Sequence, residues 1–422
     1  MKTHSMKKRW LILILSCFLF LLSQFYRASI AVISPDLVKE INIDTRQLSL
    51  ISAAFFYAFA IMQIPISMYL DGLGPRLSMT ALSLVAVIGA FVFAAGHSVP
   101  VLVAGRVLMG IGMACNLMGT LKIITLWFTP KYFATLSALV FSAGTAGNLI
   151  AATPLVLMAQ NIGWRNSFWI IGAVNLFLVF LFYCIAQDRP KAAFSQSVPE
   201  PASTKFGEVM HALYSLFRQK DYWIISLGTF CRYGIFAAVQ SLWAAPFLIN
   251  SIEVDPVSAG NLLVLMSIGL VIGSPASGWL SDRVFKSRKG IIISGLIMMG
   301  GILLILTKMS PGTDMIALGV LFFAFGLSSA TGGIMYAHVK ELMPSESAGT
   351  AMTGINFFTM IGGAFFLQIL GQMMQYLHPE NSLGKVAFID AFLFCVLCLG
   401  ITTVFYLFTV ETFQKNDRKN LR

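Results

Sequence analysis

Four basic side chains lie where the sequence offers them little water. Arg27 closes Phe25-Tyr26-Arg27, Arg106 precedes Gly110 and Gly112, Lys122 stands five residues before Trp127, and Arg232 closes Phe230-Cys231-Arg232. A guanidinium in such a stretch is costly unless it meets water, a carboxylate or an anionic ligand. Its planar fork grips a carboxylate or phosphate at two points, which an ammonium cannot do. Few acidic residues lie deep enough to neutralise Arg27 and Arg232, so the expected chemistry is capture of an anion; bonding to helix carbonyls is the bland alternative. Lys122 can snorkel to an interface or face a cavity. Histidine as a residue type titrates near physiological pH, so His338, which can also be a plain helix-end histidine, is with Lys122 a candidate for ion coupling. Tyr26, Tyr57, Gln63, Asn148, Gln240, Trp243 and Asn356 are polar or amphipathic residues in similar surroundings. Each can contact a solute or bond to a neighbouring helix.

The elements that hold these residues follow from composition. The chain of 422 residues is 57% hydrophobic and 11% charged, too few charges to cover a water-soluble surface. Its apolar stretches match the roughly 20 residues a helix needs to cross a bilayer. Barrel strands would alternate polar and apolar residues, so helices are expected. Twelve spans are predicted: 10–34, 47–70, 77–96, 100–128, 132–159 and 165–187, then 222–249, 257–281, 289–308, 313–338, 348–376 and 385–410. All six cysteines fall inside them and read as small apolar packing residues; Cys395 and Cys398 have CxxC spacing without other soft ligands, so no metal is expected.

The formal charge of +11 is sorted by side. With the N-terminus inside, the inner segments hold 20 of the 29 Lys and Arg residues, and the outer loops hold Lys39, Arg46, Arg165, Lys308 and Lys385. That asymmetry predicts a multi-pass protein of the cytoplasmic (inner) membrane with both termini in the cytoplasm. The charge is then an orientation device, and nucleic acid is not expected as a partner. Lys7, Lys8 and Arg9 before an apolar run imitate a cleaved leader. Retention is expected, because Asp71 and Asp282 stand 211 residues apart, and so do Pro35 and Pro246 at the outer ends of spans 1 and 7.

The same offset exposes a repeated loop. Asp71 leads into Gly72-Leu73-Gly74-Pro75-Arg76 after span 2, and Gly278-Trp279-Leu280-Ser281-Asp282-Arg283 follows span 8, with Arg288 and Lys289 beyond. Both resemble the major facilitator loop motif G-x-L-a-D-r-x-G-r-r. The first copy has Ser67 for the leading Gly and Gly72 for the Arg; the second lacks the central Gly. Arg106 with Gly110, Gly112 and Ala114 resembles that superfamily's R-x-x-x-G-x-G-x-a, and Gly163-Trp164-Arg165 with Phe168 is similar to its text before span 6.

The resemblance implies an all-α integral membrane fold of two pseudo-symmetric six-helix halves, residues 1–187 and 222–422. Between them, residues 188–221 carry Pro190, Pro199 and Pro201, then Phe206, Val209, Met210, Leu213, Leu216 and Phe217 at helical spacing. This predicts a cytoplasmic linker with an amphipathic interfacial helix. The implied function is secondary active transport, with halves rocking around a midplane site. Asp71, Gly74, Arg76, Asp282, Arg283 and Arg106 are the gating candidates.

Spans 1 and 7 line the cavity in that superfamily, and the cations there resemble those of organophosphate antiporters and anion–cation symporters. The expected substrate is a small organic anion bearing carboxylate or phosphate, with Arg232 as main contact and Arg27 as a second one. The 211-residue offset sets Arg232 opposite Leu21, so the two arginines differ in depth by six residues, about 9 Å. Met113 occupies the place of the symporters' span 4 Glu, leaving protons or another ion as co-transported partners without their usual site. Drug/proton efflux and amino-acid or peptide uptake are the alternatives; span 5 reads Gly144 to Pro154 without the Gly-Pro and Gly-Gly of efflux pumps. No P-loop or nucleophile–base pair appears, so neither enzyme activity nor a cofactor is expected. The protein is expected to act as a monomer in the lipid bilayer.

Overall fold

The computed structural model describes residues 2–129, 132–188, 216–342 and 348–412. Among these residues every regular element is helical, and twelve stretches are long and apolar enough to cross a membrane. In order they are Lys7–Ala28, Thr45–Gln63, Gly74–Ala95, Val99–Trp127, Thr135–Ile162 and Trp164–Ile185, then Lys220–Ser251, Pro256–Val284, Arg288–Leu306, Met315–Leu342, Gly354–Leu377 and Lys385–Tyr406. The predicted spans agree to within several residues at most ends. Of the interfacial helix expected from Phe206 to Phe217, all but Leu216 and Phe217 lies outside the described residues.

The chain divides into two compact units, Met1–Asn42 with Ala54–Thr204 and Ile43–Ala53 with Lys205–Arg422. In the first, span 1 packs on span 5, and span 3 on spans 4 and 6. The glycines after Arg106 serve these contacts. A Cβ on Gly112 would fall on the Ala86 backbone of span 3, and one on Gly110 on the Phe55 carbonyl of span 2. In the second, span 7 packs on span 11, span 8 on span 10 and span 9 on span 12. The 1-with-5 and 3-with-6 pairs therefore recur as 7-with-11 and 9-with-12, the structural counterpart of the repeated loop.

Several spans are interrupted. The first helix stops at Ala28 and resumes at Ile30, which ends span 1 earlier than hydropathy suggests. Pro35 in the second piece cannot bond to the Ala31 carbonyl, and Ser34 Oγ donates to it instead at 2.8 Å. Span 4 breaks at Ala114–Cys115 and span 10 at Ala330–Thr331, while span 7 loosens into a π-turn at Val239–Trp243 ahead of Pro246. Carbonyls freed by a break need a donor, because lipid supplies none.

Candidate functional site

Two arginines supply such donors. In the first unit Arg106, fully buried, donates from Nη1 to the Tyr26 carbonyl at 2.6 Å, beside the break in span 1. Its Cζ lies 4.8 Å from the centre of the Phe55 ring. In the second unit Arg232, buried from solvent, donates from Nη1 to the Ser329 carbonyl and, at 3.1 Å, to Ser329 Oγ. Ser329 ends the helix before the break in span 10, and Gly332 just after it leaves the guanidinium room: a Cβ there would overlap Arg232 Cζ. Span 4 thus braces span 1, and span 7 braces span 10.

Arg27 is placed differently. It is half-buried, with Cζ 5.0 Å from the Phe59 ring centre and 5.7 Å from that of Phe56. Cation–π contact stabilises a partly desolvated guanidinium without neutralising it. Depth along the helix favours Arg232 as the solute contact; burial ranks the two arginines the other way.

The other candidates separate by burial. Tyr26 is fully buried, with its ring 5.7 Å from Phe25 and 6.3 Å from Phe168, and Trp243 is buried with Nε1 donating to the Leu367 carbonyl at 3.3 Å. Gln240 donates to Ser267 Oγ at 3.1 Å, and Gln63 reaches the Ala114 carbonyl at 3.5 Å, at the break in span 4. Tyr57, Asn148 and Asn356 are half-buried. Asn356 Oδ1 accepts from the Tyr336 hydroxyl at 3.2 Å, which also lies 3.2 Å from Thr359 Oγ1. Tyr336 was not singled out in the sequence; Arg232 in the same unit is the signal that could have drawn attention to its helix. Lys122 Nζ donates to the Leu70 carbonyl at 2.5 Å, joining spans 4 and 2 near their C-terminal ends.

At the repeated loops the gating candidates find different kinds of partner. Arg288, not its neighbour Arg283, pairs with Asp282, and Arg288 Nη2 also reaches Glu341 Oε1 at 2.9 Å. Arg283 is exposed. The side chain of Asp71 lies outside the described residues. Arg76 stacks on Tyr183, with Cζ 4.7 Å from the ring centre, and its Nε donates to the Tyr183 carbonyl at 3.1 Å.

A pair of carboxylates completes both loops. Asp188, just after span 6, accepts from the Arg76 amide at 2.8 Å. Glu411, beyond span 12, accepts from the Arg288 amide at 3.0 Å, the Lys289 amide at 3.1 Å and Ser287 Oγ at 2.5 Å. Each caps the first turn of a helix, where orphan amides and the helix dipole favour an anion. Gly74 is required at its loop twice over. Its φ is +78°, and a Cβ would sit 2.6 Å from Asp188 Oδ1. The recurrence of an acid at the end of spans 6 and 12 is the sequence signal that would have found these caps.

At the opposite end of the first unit, Glu40 accepts from Trp164 Nε1 at 2.5 Å and from Arg165 Nε at 2.7 Å. Arg165 also donates to the Ala94 carbonyl at 2.7 Å and lies 3.3 Å from His97 Nδ1. Burial pushes the Glu40 carboxyl up, but the bonds from Arg165 and Trp164 outweigh it and leave it below its ordinary value. Asp36 nearby is raised, by burial first and by the Glu40 charge second. Among the described residues no group of histidine, cysteine and acid side chains is arranged to hold a metal.

Known proteins can be set beside this geometry. The sequence profile of the Major Facilitator Superfamily matches residues 15–367. The probable sulfoacetate transporter SauU of Cupriavidus necator is 24% identical over 405 residues, covering 91% of this chain and 93% of that protein. A probable hexose phosphate transport protein of Chlamydia trachomatis is 23% identical over 429 residues, covering 94% and 90%. Among solved structures, a bacterial homologue of the human lysosomal transporter Spinster superposes with a TM-score of 0.76 at 18% identity, over 94% of this chain and 96% of that one.

Proposed function

The chain belongs to the Major Facilitator Superfamily, and from that premise we propose that it moves a small organic anion across the cytoplasmic membrane by alternating access. The observation that carries this reading is the charge pattern of the spans. Arg106 and Arg232 lie at least seven residues inside a span and Arg27 lies at the end of span 1, whereas the acidic residues of the spans, Asp221, Asp282, Glu341 and Asp390, all stand within six residues of a span end. A membrane interior with that balance of charge favours a negatively charged guest.

Arg27 makes the first contact. Of the three arginines it is the one that is not buried, and it lies over the rings of Phe56 and Phe59. Tyr57 and Asn148, half-buried in the same unit, supply hydrogen bonds to polar groups of the solute. Arg232 acts through Ser329, fixing the break in span 10. The solutes named for the two relatives, sulfoacetate and a hexose phosphate, both carry an ionised oxyacid group that a guanidinium can hold at two points.

Thermal unfolding of the purified protein tests the reading without any assumption about coupling. Sulfoacetate and glucose 6-phosphate serve as anionic probes, with glucose and a cationic dye as controls. A ligand that binds the folded state alone raises the unfolding temperature. Stabilisation by an anion, lost in Arg27→Ala, is expected. A cationic dye that stabilises wild type and Arg27→Ala alike would overturn the proposal and favour drug efflux.

A further inference from the structure

His338 is buried in span 10 with both ring nitrogens bonded: Nε2 lies 2.8 Å from the Val410 carbonyl and Nδ1 2.9 Å from the Tyr406 hydroxyl. A carbonyl can only accept, so Nε2 carries the hydrogen in the neutral ring. Nδ1 must then accept from Tyr406. Added protonation at Nδ1 would force the Tyr406 hydroxyl to turn its hydrogen elsewhere, and Tyr406 is itself fully buried.

The charges around this ring belong to the inner loop already described. Glu341 is three residues on in the same helix, Glu411 follows Val410, and Asp221 at the start of span 7 accepts from the Val410 amide at 3.3 Å. Behind these acids stand Arg288, paired with Glu341, and Lys289, whose Nζ donates to the Leu407 carbonyl at 2.5 Å. Span 7 also brings a cation to this segment, with Lys220 Nζ 5.6 Å from the Phe408 ring centre, and carries Tyr222, Cys231, Arg232 and Tyr233. The helices Pro256–Trp279 and Ala348–Leu377, which also pack on this segment, contain no charged residue. An imidazolium here would therefore draw on Glu341 and Glu411, the two carboxylates that hold Arg288 and cap its helix.

We infer that His338, with Tyr406 as its hydrogen-bond donor, is a proton-binding switch of the transport cycle, and that its charge loosens the clasp of Glu341 and Glu411 on Arg288 and the helix it starts. The inference rests on the transporter reading and not on the charge of the solute. In the neutral state Tyr406 holds Nδ1, and the carboxylates stay on Arg288 and its neighbouring amides. In the protonated state the carboxylates are shared with His338, and the start of span 9 is released.

Hydrogen exchange of the full-length protein in detergent tests this without any solute. Protection of the Arg288, Lys289 and Gly290 amides is measured between pH 5.5 and pH 8, corrected for the intrinsic rate at each pH. Wild type should lose protection as pH falls. One unit of pKa difference between clasped and open forms gives about a tenfold change. His338→Gln keeps a donor and an acceptor but takes no proton, so its protection should be flat; His378→Gln, altering the outer pair with Asp390, should behave as wild type. Tyr406→Phe removes the bond that favours the neutral ring and should move the response to higher pH. A wild type without pH dependence, a pH response kept in His338→Gln, or an unmoved midpoint in Tyr406→Phe would each overturn the inference. Failure of every anionic probe to bind would leave it standing.

Discussion

Gly74→Ala should destabilise the first unit by about 3–4 kcal/mol, and about half of that increment should be absent when it is introduced into an Asp188→Ala background. Two costs combine at this position. An alanine held at the left-handed φ of Gly74 costs roughly 1–2 kcal/mol. The new Cβ would lie 2.6 Å from Asp188 Oδ1, so the carboxylate must move away from the Arg76 amide that it now meets at 2.8 Å. Loss of a hydrogen bond to a charged acceptor costs roughly 1.5–3 kcal/mol. Asp188→Ala alone pays only that second cost, and in its background Gly74→Ala adds only the φ strain. The double-mutant cycle should therefore show a coupling of about 2 kcal/mol. Reversible unfolding in mixed detergent–SDS micelles measures all four variants. Simple additivity would refute the claim that Gly74 is kept free of a side chain by Asp188.

Arg27→Lys should weaken binding of sulfoacetate or glucose 6-phosphate at least tenfold, because an ammonium offers a point charge where a fork is needed, about 1.4 kcal/mol per decade. Arg232→Lys should instead lower the unfolding temperature with less effect on probe affinity; isothermal titration beside thermal unfolding separates the two. Arg288→Lys should slow transport in proteoliposomes more than it weakens equilibrium binding, since one lysine cannot bridge Asp282 and Glu341. Glu40, held below its ordinary carboxyl value in the folded state, binds fewer protons than in the unfolded chain, so its stabilisation is present above the unfolded value and is lost as pH falls through the folded one. The unfolding temperatures of wild type and Glu40→Gln should accordingly converge as pH is lowered through and below the ordinary glutamate range. Cysteines placed in residues 189–215 should react with an impermeant reagent only once the inner face is exposed; labelling of intact cells would reverse the predicted orientation.

Span number, helical class and family were legible in the sequence because each rests on local information. Hydropathy over some twenty residues is a property of a continuous stretch, and the repeated loop is a pattern of neighbouring letters at matching places. Gly110 and Gly112 could also be read in advance, since small residues in an apolar helix signal close approach even when the approaching helix is unknown. Partner choice could not be read in this way. Arg106 and Arg232 are both arginines in apolar text, yet each is turned to a distant carbonyl, Tyr26 80 residues away and Ser329 97 residues away, at breaks that hydropathy does not register. Arg288 rather than Arg283 meets Asp282 because the π-turn at Leu280–Val284 and the following bend set which side chain returns to the acid. Asp188 and Glu411 read as the ends of spans until folding brings them to the first turns of helices more than a hundred residues earlier in the chain. Hydropathy along the chain dictates what is buried in the membrane; folding selects which buried polar groups satisfy one another, because in lipid that matching has no solvent to fall back on.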